Sequence, residues 1–274
     1  MRSGAHPRNH LRHHRTNPFP PLCRNFVVAT FRPFPRTAPE NSNHKTGSEN
    51  SKSVSSPSAI IQASLYCRSF RAMPSRPEIE IKLRIDDLPA LVHQLNHLGA
   101  TCHGRVLEHN TLFDTPANDI RRRGLLLRLR IENPARSPHL PAAPAHACLT
   151  FKHPVASSAA ARYKQNLESE ISVSARVDWL ARFRSLGFVP GFRYEKFRTR
   201  FSLGSLHLDP LHLDLDETPV GNFLELEGSP RQIDRAARAL GYRPAAYLRA
   251  TYWDLYAAHA RRRGKIPRHM LFRA

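Results

Sequence analysis

The most chemically suggestive residues lie in one short stretch, Glu78-Ile79-Glu80-Ile81-Lys82. Its apolar and charged residues alternate with the two-residue period of a half-buried β-strand, so Glu78, Glu80 and Lys82 share a face. Two carboxylates about 7 Å apart repel by roughly 0.6 kcal/mol in water, and by about 2.4 kcal/mol at an effective dielectric constant of ~20. A face with this arrangement suggests a charged partner between the strands, and carboxylate oxygens are the ligands that Mg²⁺ and Mn²⁺ prefer.

Six further stretches have one apolar face and one face whose charges are mostly of a single sign. The basic ones are Leu127–Ile131, Leu149–Lys152 and Lys196–Phe201, and the acidic ones are Leu167–Ile171, Leu213–Asp216 and Leu224–Glu227. For one strand alone, the simpler interpretation is a solvated face of an ordinary antiparallel sheet. Solvated faces usually mix the two signs of charge, so the repeated pattern favours a different arrangement.

Closing the sheet into a barrel explains the pattern, because the charged faces then line the interior and the apolar faces lie outside under helices. Buried charges are tolerated only when they are paired or liganded. Arginine and lysine suit phosphate oxygens, whereas the carboxylates suit a hard metal ion. The predicted fold is therefore α+β, a closed antiparallel β-barrel with a charged lumen that also contains Asp214 and Arg200. This lumen suits a metal and a polyphosphate better than nucleic acid.

The charged strands belong to an ordered set of motifs along the chain. After EIEIK come FDTP at Phe113–Pro116, LRLR at Leu127–Arg130, TFK at Thr150–Lys152, ESE at Glu168–Glu170, EKFR at Glu195–Arg198, LDETPVGNFLELEG at Leu215–Gly228 and Arg-x-Thr-Tyr-x-x-Leu at Arg249–Leu255. Over about residues 76–256 this set resembles the CYTH superfamily, the triphosphate tunnel metalloenzymes. That superfamily includes class IV adenylyl cyclases, thiamine triphosphatases and inorganic triphosphatases.

The resemblance implies an eight-stranded antiparallel tunnel and a role for each matching residue. The implied metal ligands are Glu78, Glu80, Asp216, Glu225 and Glu227. The implied triphosphate-binding bases are Lys82, Arg128, Arg130, Lys152, Lys196, Arg198 and Arg249. The residues assigned to catalysis are Lys82, Arg198, Glu168 and Glu170. Members often have lysine where this chain has Arg249, and arginine can bind phosphate there but cannot transfer a proton as lysine can.

The resulting hypothesis is an Mg²⁺- or Mn²⁺-dependent triphosphatase that hydrolyses an inorganic or organic triphosphate. One alternative is a class IV adenylyl cyclase that converts ATP to cyclic AMP and pyrophosphate. Hydrolysis is preferred because the sequence reveals no adenine pocket. A second alternative is a non-catalytic polyphosphate-binding module, although binding alone does not require several carboxylates for each metal.

Four segments are predicted to be helices that cover the barrel. Leucine spacing and a terminal glycine predict a helix after Asp86 or Asp87 that ends at Gly99, and helices over Ser174–Leu186 and Pro230–Leu240. A last helix is predicted over about Ala245–Arg262. Residues 133–147 and 154–161 are rich in proline, alanine and serine and are predicted to be loops.

The first 72 residues differ in composition from the rest. They carry 11 lysines and arginines against the two acids Glu40 and Glu49, and they lack sustained apolar periodicity. Such a basic leader is predicted to be disordered, and three origins stay open: a mis-assigned start before Met73, a disordered segment with its own role, or an organelle transit peptide. The predicted domains are this leader, a tunnel domain over residues 73–260 and a basic C-terminal tail over residues 261–274.

A formal net charge of +20 makes nucleic acid and anionic membranes candidate partners. Solvated basic termini explain this charge more simply, and no run of about 18 apolar residues could span a membrane. The four cysteines have no metal-binding spacing and are predicted to be free thiols in a reducing compartment, which favours a cytoplasmic protein. The predicted partner is a triphosphate, with no nucleic acid and no membrane, and a homodimer is left open.

Overall fold

The computed structural model describes residues 75–134, 144–155, 162–204 and 209–273. Predictions for residues 1–72, and for most of the two proline-rich loops, lie outside this part of the chain. The strands are β1 (Arg76–Ile85), β2 (Thr101–Asp114), β3 (Leu126–Pro134), β4 (His146–Pro154), β5 (Lys164–Val173), β6 (Val189–Leu203), β7 (Leu211–Thr218) and β8 (Gly221–Glu227). The helices are α1 (Leu88–His97), α2 (Asp119–Arg122), α3 (Trp179–Ser185), α4 (Pro230–Ala239) and α5 (Tyr252–Arg262), with a short 3₁₀ turn at Pro244–Ala246.

The strands form a closed antiparallel barrel in the order β1-β5-β4-β3-β2-β6-β7-β8, with β8 pairing back to β1. The predicted fold class is therefore confirmed. Strand β1 joins two neighbours, because its first half pairs with β5 and its second half pairs with β8. Closure removes the two edge strands of an open sheet, and Leu248 and Met270 pair with β1 and β6 where the neighbouring strand does not reach.

The apolar faces point outward and are covered by helices. Ile81 and Leu83 of β1 are fully buried in a cluster with Leu91 and Leu95 of α1 and Ile233 of α4. A second cluster places α2 and α3 against the outer face of the β2–β3–β4 region. The charged residues that alternate with these apolar ones are thereby directed into the barrel.

Seven of the eight strands were predicted from the alternation of charge, and β2 is the one that was missed. Glu108 and Asn110 are buried, whereas the neighbouring Leu107 and His109 are only partly buried. Both faces of this strand mix apolar and polar residues, so no clear period of two is visible in its sequence. Cross-strand pairing with β3 and β6 fixes it instead.

Two predicted helices begin later than expected. The helix predicted from Ser174 begins at Trp179, because the Asp178 side chain caps it by accepting a hydrogen bond from the Ala181 amide at 2.9 Å. The helix predicted from Ala245 begins at Tyr252, where Thr251 and Asp254 form a capping box. The residues expected to form its first turns are not helical, because the Leu248 backbone pairs with that of Lys82 in β1.

The end of the chain returns to the barrel. Residues 261–273 belong to the predicted basic tail. Among them Met270 is fully buried, and its backbone forms a parallel β-bridge with Tyr194 of β6. The Met270 amide donates to the Arg193 carbonyl at 3.0 Å, and the Glu195 amide donates to the Met270 carbonyl at 2.9 Å. This contact places Arg268 and His269 beside the cavity described below.

Two further observations bear on the sequence predictions. Cys148 is a buried free thiol, but Cys102 is disulfide-bonded, so the prediction of free thiols is wrong for Cys102. Sequence spacing could not show this, because a disulfide depends on the distance between cysteines in the fold. None of the helices in the described residues has the length and apolar character needed to cross a membrane.

Candidate active site

The interior of the barrel is a cavity of about 720 Å³ lined by charged side chains. It brings together most of the site residues predicted from the sequence: Glu78, Glu80, Lys82, Arg128, Arg130, Lys152, Glu168, Glu170, Lys196, Arg198, Glu225 and Glu227. Asp214 and Arg200 of the predicted lumen line it as well. Residues far apart in sequence are gathered here because each strand turns its charged face inward.

The two glutamates of β1 are held by lysines of β1, β4 and β5. Glu78 accepts hydrogen bonds from Lys152 Nζ at 2.5 Å and from the side-chain Nδ2 of Asn166 at 3.0 Å. Glu80 accepts from Lys164 Nζ at 2.6 Å and lies 3.3 Å from Lys82 Nζ. Both glutamates are about 5% exposed or less, so their charges are stabilised by these contacts and not by water.

The acidic strands β5 and β8 bring further carboxylates close to Glu78. Arg76 Nη2 lies 3.5 Å from Glu168 and 3.6 Å from Glu227. Burial and the negative charge of Glu78 raise the pKa of Glu227 to about 7. Burial and the charge of Glu78 also raise the pKa of Glu168. These carboxylates outnumber the positive charges near them, which is the electrostatic environment that favours a bound cation.

Asp216 is fully buried at the centre of a network of hydrogen bonds. Its carboxylate accepts from Arg198 Nε at 2.7 Å, from Arg198 Nη2 at 2.6 Å and from Lys196 Nζ at 2.8 Å. The hydroxyl of Tyr252 donates to the same carboxylate at 2.5 Å. Asp216 does not line the cavity in this structure. Its carboxylate fixes the orientation of the two bases Lys196 and Arg198.

Arg198 connects this network to the cavity. Its Nη1 lies 2.6 Å from Asp214, and its Nη2 contacts Glu225. Glu225 in turn lies 2.9 Å from Lys82 Nζ. Burial opposes ionisation, but Lys82 and Arg198 hold the pKa of Glu225 well below its ordinary value. Glu225 is therefore charged at neutral pH, as a carboxylate ligand to a metal must be.

A basic cluster lies on β3. Arg128 donates to Thr150 Oγ1 at 3.0 Å and to the Tyr194 hydroxyl at 3.3 Å, and Arg130 donates to Glu170 at 3.1 Å. Although burial opposes it, Arg130 and Arg128 lower the pKa of Glu170 to about 2. Among the described residues, Arg128 Nε is buried without a hydrogen-bond partner, and its side chain lines the cavity, so this N–H is available to a polar ligand there.

Several polar residues of the interior were not identified from the sequence. Lys164 and Asn166 share the inner face of β5 with Glu168, and Arg76 precedes Glu78 on the inner face of β1. Continuing the period of two toward the start of each strand would have found them. Glu108 is fully buried 3.5 Å from Lys196, and it was missed because β2 itself was not predicted.

One predicted site residue lies apart from the others. Arg249 is exposed, and it is not among the side chains that line the cavity. It precedes α5, whose first residue, Tyr252, faces the interior. The Tyr252 ring centroid is 4.9 Å from Lys196 Nζ and 5.3 Å from Lys82 Nζ. Tyr252 packs with Tyr194, Phe223 and Met270 in a third apolar cluster.

The acids fit a hard divalent cation by chemistry more than by preformed geometry. Glu78, Glu80, Glu225 and Glu227 all line the cavity and offer oxygen ligands. Within the residues that the structure describes, no group of three or more histidines, cysteines or acids is already arranged around a metal position. The carboxylates are paired with lysine and arginine, so binding of a metal requires some of these pairs to separate.

The same side chains can hold a polyphosphate. Lys82, Arg128, Lys152 and Arg198 surround one cavity and offer ammonium and guanidinium donors for phosphate oxygens. Each is now neutralised by carboxylates. A ligand that carries its own metal ion brings both signs of charge, so it can replace these internal pairs without leaving buried charge unpaired.

Comparison with known proteins agrees with the barrel fold. The CYTH domain family model matches residues 76–247. A putative adenylate cyclase from Vibrio parahaemolyticus superposes with a TM-score of 0.53 at 17% identity, covering 66% of this chain and 98% of that one. The PH1819 protein of Pyrococcus horikoshii OT3 superposes with a TM-score of 0.51 at 19% identity, covering 67% and 98%.

A third structure is a putative adenylyl cyclase from Hippeastrum described as having a dominant triphosphatase activity. Its TM-score is 0.43 at 20% identity, and the match covers 69% of this chain and 97% of that one. No curated protein matches the sequence significantly. At these identities the likenesses to the Vibrio and Pyrococcus structures show the fold alone.

Proposed function

Because the chain belongs to the CYTH domain family, we propose that it is a divalent-metal-dependent triphosphatase that acts inside its barrel. CYTH proteins bind triphosphates and depend on metal ions in general, and they include triphosphatases and adenylyl cyclase-like members. The observation that carries the proposal is one cavity in which Glu78, Glu80 and Glu225 lie beside the bases Lys82 and Arg198. A site for anion binding alone would need the bases without this set of acids.

The proposed metal ligands are Glu78, Glu80, Glu225 and Glu227, and Mg²⁺ or Mn²⁺ held there would neutralise phosphate charge and polarise the phosphoryl group. Asp216 is proposed to contribute without contacting the metal, by fixing the orientation of Lys196 and Arg198. The bases Lys82, Arg128, Arg130, Lys152 and Arg198 would hold the phosphate oxygens and stabilise the charge that develops during transfer.

In the proposed reaction, a water oxygen forms a bond to the terminal phosphorus and the bond from that phosphorus to the bridging oxygen breaks. Orthophosphate leaves with the oxygen of the water, and the shortened phosphate chain keeps the bridging oxygen. One proton is released overall at neutral pH. Glu168 is a candidate acceptor for this proton, because burial and nearby acids raise its pKa above the ordinary value.

The test is an assay of the purified full-length chain with Mg²⁺ or Mn²⁺. Tripolyphosphate, thiamine triphosphate and ATP are supplied separately, and orthophosphate, pyrophosphate and cyclic AMP are each quantified. Release of orthophosphate with no cyclic AMP supports the proposal. Cyclic AMP and pyrophosphate from ATP would identify a cyclase instead. Tight binding without turnover of any of the three would indicate a polyphosphate-binding module.

A further inference from the structure

The cavity is larger and less polar than a triphosphate chain requires. Its volume of about 720 Å³ lies within the roughly 300–1,000 Å³ of pockets that enclose whole organic ligands. Beside the charged tunnel it has an apolar vestibule, defined here by Leu112, Ile120, Leu125, Leu126, Phe192 and Trp253. A bare polyphosphate gains nothing from apolar walls, because all of its surface is charged.

The vestibule adjoins the phosphate-binding bases directly. Leu112 of β2 is paired in register with Arg128 of β3, and Leu126 of β3 is paired with Lys152 of β4. Apolar and basic side chains therefore meet across single strand pairs. A ligand with its phosphates on Arg128 and Lys152 would direct its other end toward Leu112 and Leu126.

One side of the vestibule is held in place by the turn between β2 and β3. The carboxylate of Asp114 accepts hydrogen bonds from the backbone amides of Ile120 at 2.9 Å and Arg121 at 3.1 Å. Ile120 is buried against Phe113, whose ring stacks on Phe183 at 4.3 Å between centroids. The position of Arg121 above the vestibule is thus determined by its backbone.

Trp253 of α5 forms the opposite side. The capping box of Thr251 and Asp254 fixes the first turn of the helix around it. Phe192 meets the Trp253 ring edge-on at 5.0 Å, and the faces of Phe192 are already occupied by Tyr194 and Tyr256. The guanidinium of Arg121 lies 5.4 Å from the Trp253 ring centroid. A planar cation on this ring marks a place where another planar group can stack.

We propose that this vestibule binds a planar ring, so that the substrate is an organic triphosphate bearing an aromatic or heteroaromatic group and not inorganic tripolyphosphate. The ring would stack on Trp253 at the position now covered by Arg121, whose side chain is exposed and can move aside. This inference rests on the proposed triphosphatase function and specifies its substrate class. Trp253 is a specificity-determining residue in this proposal, with no part in bond breaking.

The first test compares kcat/KM for ATP and thiamine triphosphate, which carry rings, with kcat/KM for tripolyphosphate and ribose 5-triphosphate, which do not. At least one ring-bearing substrate should be preferred. Trp253→Ala should lower kcat/KM for that substrate on the order of 10- to 100-fold, the usual effect of losing one base–aromatic stack, and should leave tripolyphosphate unchanged. Trp253→Phe should keep most of the native kcat/KM for that substrate, because phenylalanine still offers a ring for stacking. Trp179→Ala is the matched control, because Trp179 lies on α3 outside the cavity.

Two outcomes would overturn the inference. One is tripolyphosphate as the best substrate of the native chain. The other is an equal loss on all substrates in Trp253→Ala, which would indicate that Trp253 only supports the fold.

A binding measurement separates this inference from the proposed function. The chain has two tryptophans, so Trp179→Phe leaves Trp253 as the sole fluorescent tryptophan. The ring-bearing triphosphates should quench its emission, and tripolyphosphate at the same concentration should not. Quenching without hydrolysis would refute the triphosphatase proposal but support ring binding. Hydrolysis without quenching or ring preference would refute ring binding and leave the triphosphatase proposal intact.

Discussion

At the scale of single residues, Glu78 and Glu80 are the side chains on which the metal proposal depends most. Replacing both with glutamine removes two anionic ligands and keeps the side-chain volume. Loss of residues that merely orient metal ligands costs 10- to 100-fold, so Glu78→Gln with Glu80→Gln should lower kcat/KM by at least about 100-fold. The far-ultraviolet circular dichroism spectrum should remain that of the native protein. Full activity of the double variant would contradict the assignment.

The matched control for this variant is Glu217→Gln. Glu217 is on β7 next to Asp216, but it pairs with Arg105 at 3.0 Å and does not line the cavity. Its replacement also removes one carboxylate from an ion pair of the barrel, so it tests whether any loss of strand charge is enough to reduce activity. We expect kcat/KM within about twofold of the native value, since Glu217 lies outside the cavity and its partner Arg105 is not a proposed ligand or phosphate-binding base.

For Asp216 the prediction concerns stability, because its carboxylate neutralises two buried bases at once. Asp216→Asn leaves Lys196 and Arg198 with less compensating charge in a buried site. The free energy of unfolding in urea should fall by about 3–5 kcal/mol, as when one partner is removed from other buried ion pairs. Asp214→Asn is the comparison, since the Asp214 side chain is 21% exposed and water can partly replace it. Equal losses for both variants would show that Asp216 has no special role.

At the scale of elements, α4 illustrates how the outer face supports the inner one. Ile233 is fully buried against β1 and β8 residues such as Ile81 and Leu226. Ile233→Ala should lower the free energy of unfolding by about 2–5 kcal/mol, because it removes methyl groups and leaves a cavity. Its kcat/KM, measured well below the unfolding temperature, should stay near the native value, because Ile233 does not line the cavity.

Arg235→Ala on the same helix is the control for Ile233→Ala. Arg235 is exposed, so its stability should change by no more than about 0.5 kcal/mol. A variant of Ile233 that keeps its stability but loses activity would contradict this division between outer and inner faces.

The elements that the sequence predicted correctly are those whose physical signal is local. Alternating charge on one face revealed β1 and β8, and the cap residue Asp87 indicated where α1 begins. Strand β2 has no such alternation, so only its partners in the barrel define it. The start of α5 also depends on tertiary contact, because pairing of Leu248 with Lys82 prevents an earlier helical turn.

The candidate site was likewise predictable only where its signal is local. The sequence indicated which charges share the interior, because each charged strand contributes one face. It could not indicate that Lys196, Arg198 and Tyr252 surround Asp216, or that Trp253 and Arg121 meet at the mouth of the tunnel. These contacts join segments far apart in the chain, and their geometry depends on barrel closure and on the packing of α5.

At the scale of the whole molecule, the domain that we propose extends beyond the family match at its C-terminal end. The match covers residues 76–247, yet Tyr252, Trp253, Arg268 and His269 all line the cavity. Met270 fixes the last of these segments by pairing with β6. The segment that was predicted as a basic tail is therefore in part a wall of the cavity, to which it contributes Arg268 and His269.

The internal pairing of charge predicts how the whole molecule responds to metal removal. Each proposed ligand has a basic partner in this structure: Lys152 for Glu78, Lys164 for Glu80, Lys82 for Glu225 and Arg76 for Glu227. The barrel should therefore remain folded without metal, unlike small domains that fold only around zinc. EDTA should abolish hydrolysis while the circular dichroism spectrum is unchanged, and excess Mg²⁺ or Mn²⁺ should restore activity.

The size of the metal effect on stability follows from mass action. Mg²⁺ at 100 times its dissociation constant should raise the free energy of unfolding by about 2.7 kcal/mol, a modest increment on an already folded barrel. EDTA saturated with Mg²⁺ beforehand is the control for effects of the chelator itself. If EDTA unfolded the protein, the lysine and arginine partners would be insufficient to neutralise the carboxylates, and the barrel would require its metal for folding. The expected result instead separates the two roles of the lumen, since its charges stabilise one another after metal removal and pair with the ligand when a metal-bound triphosphate binds.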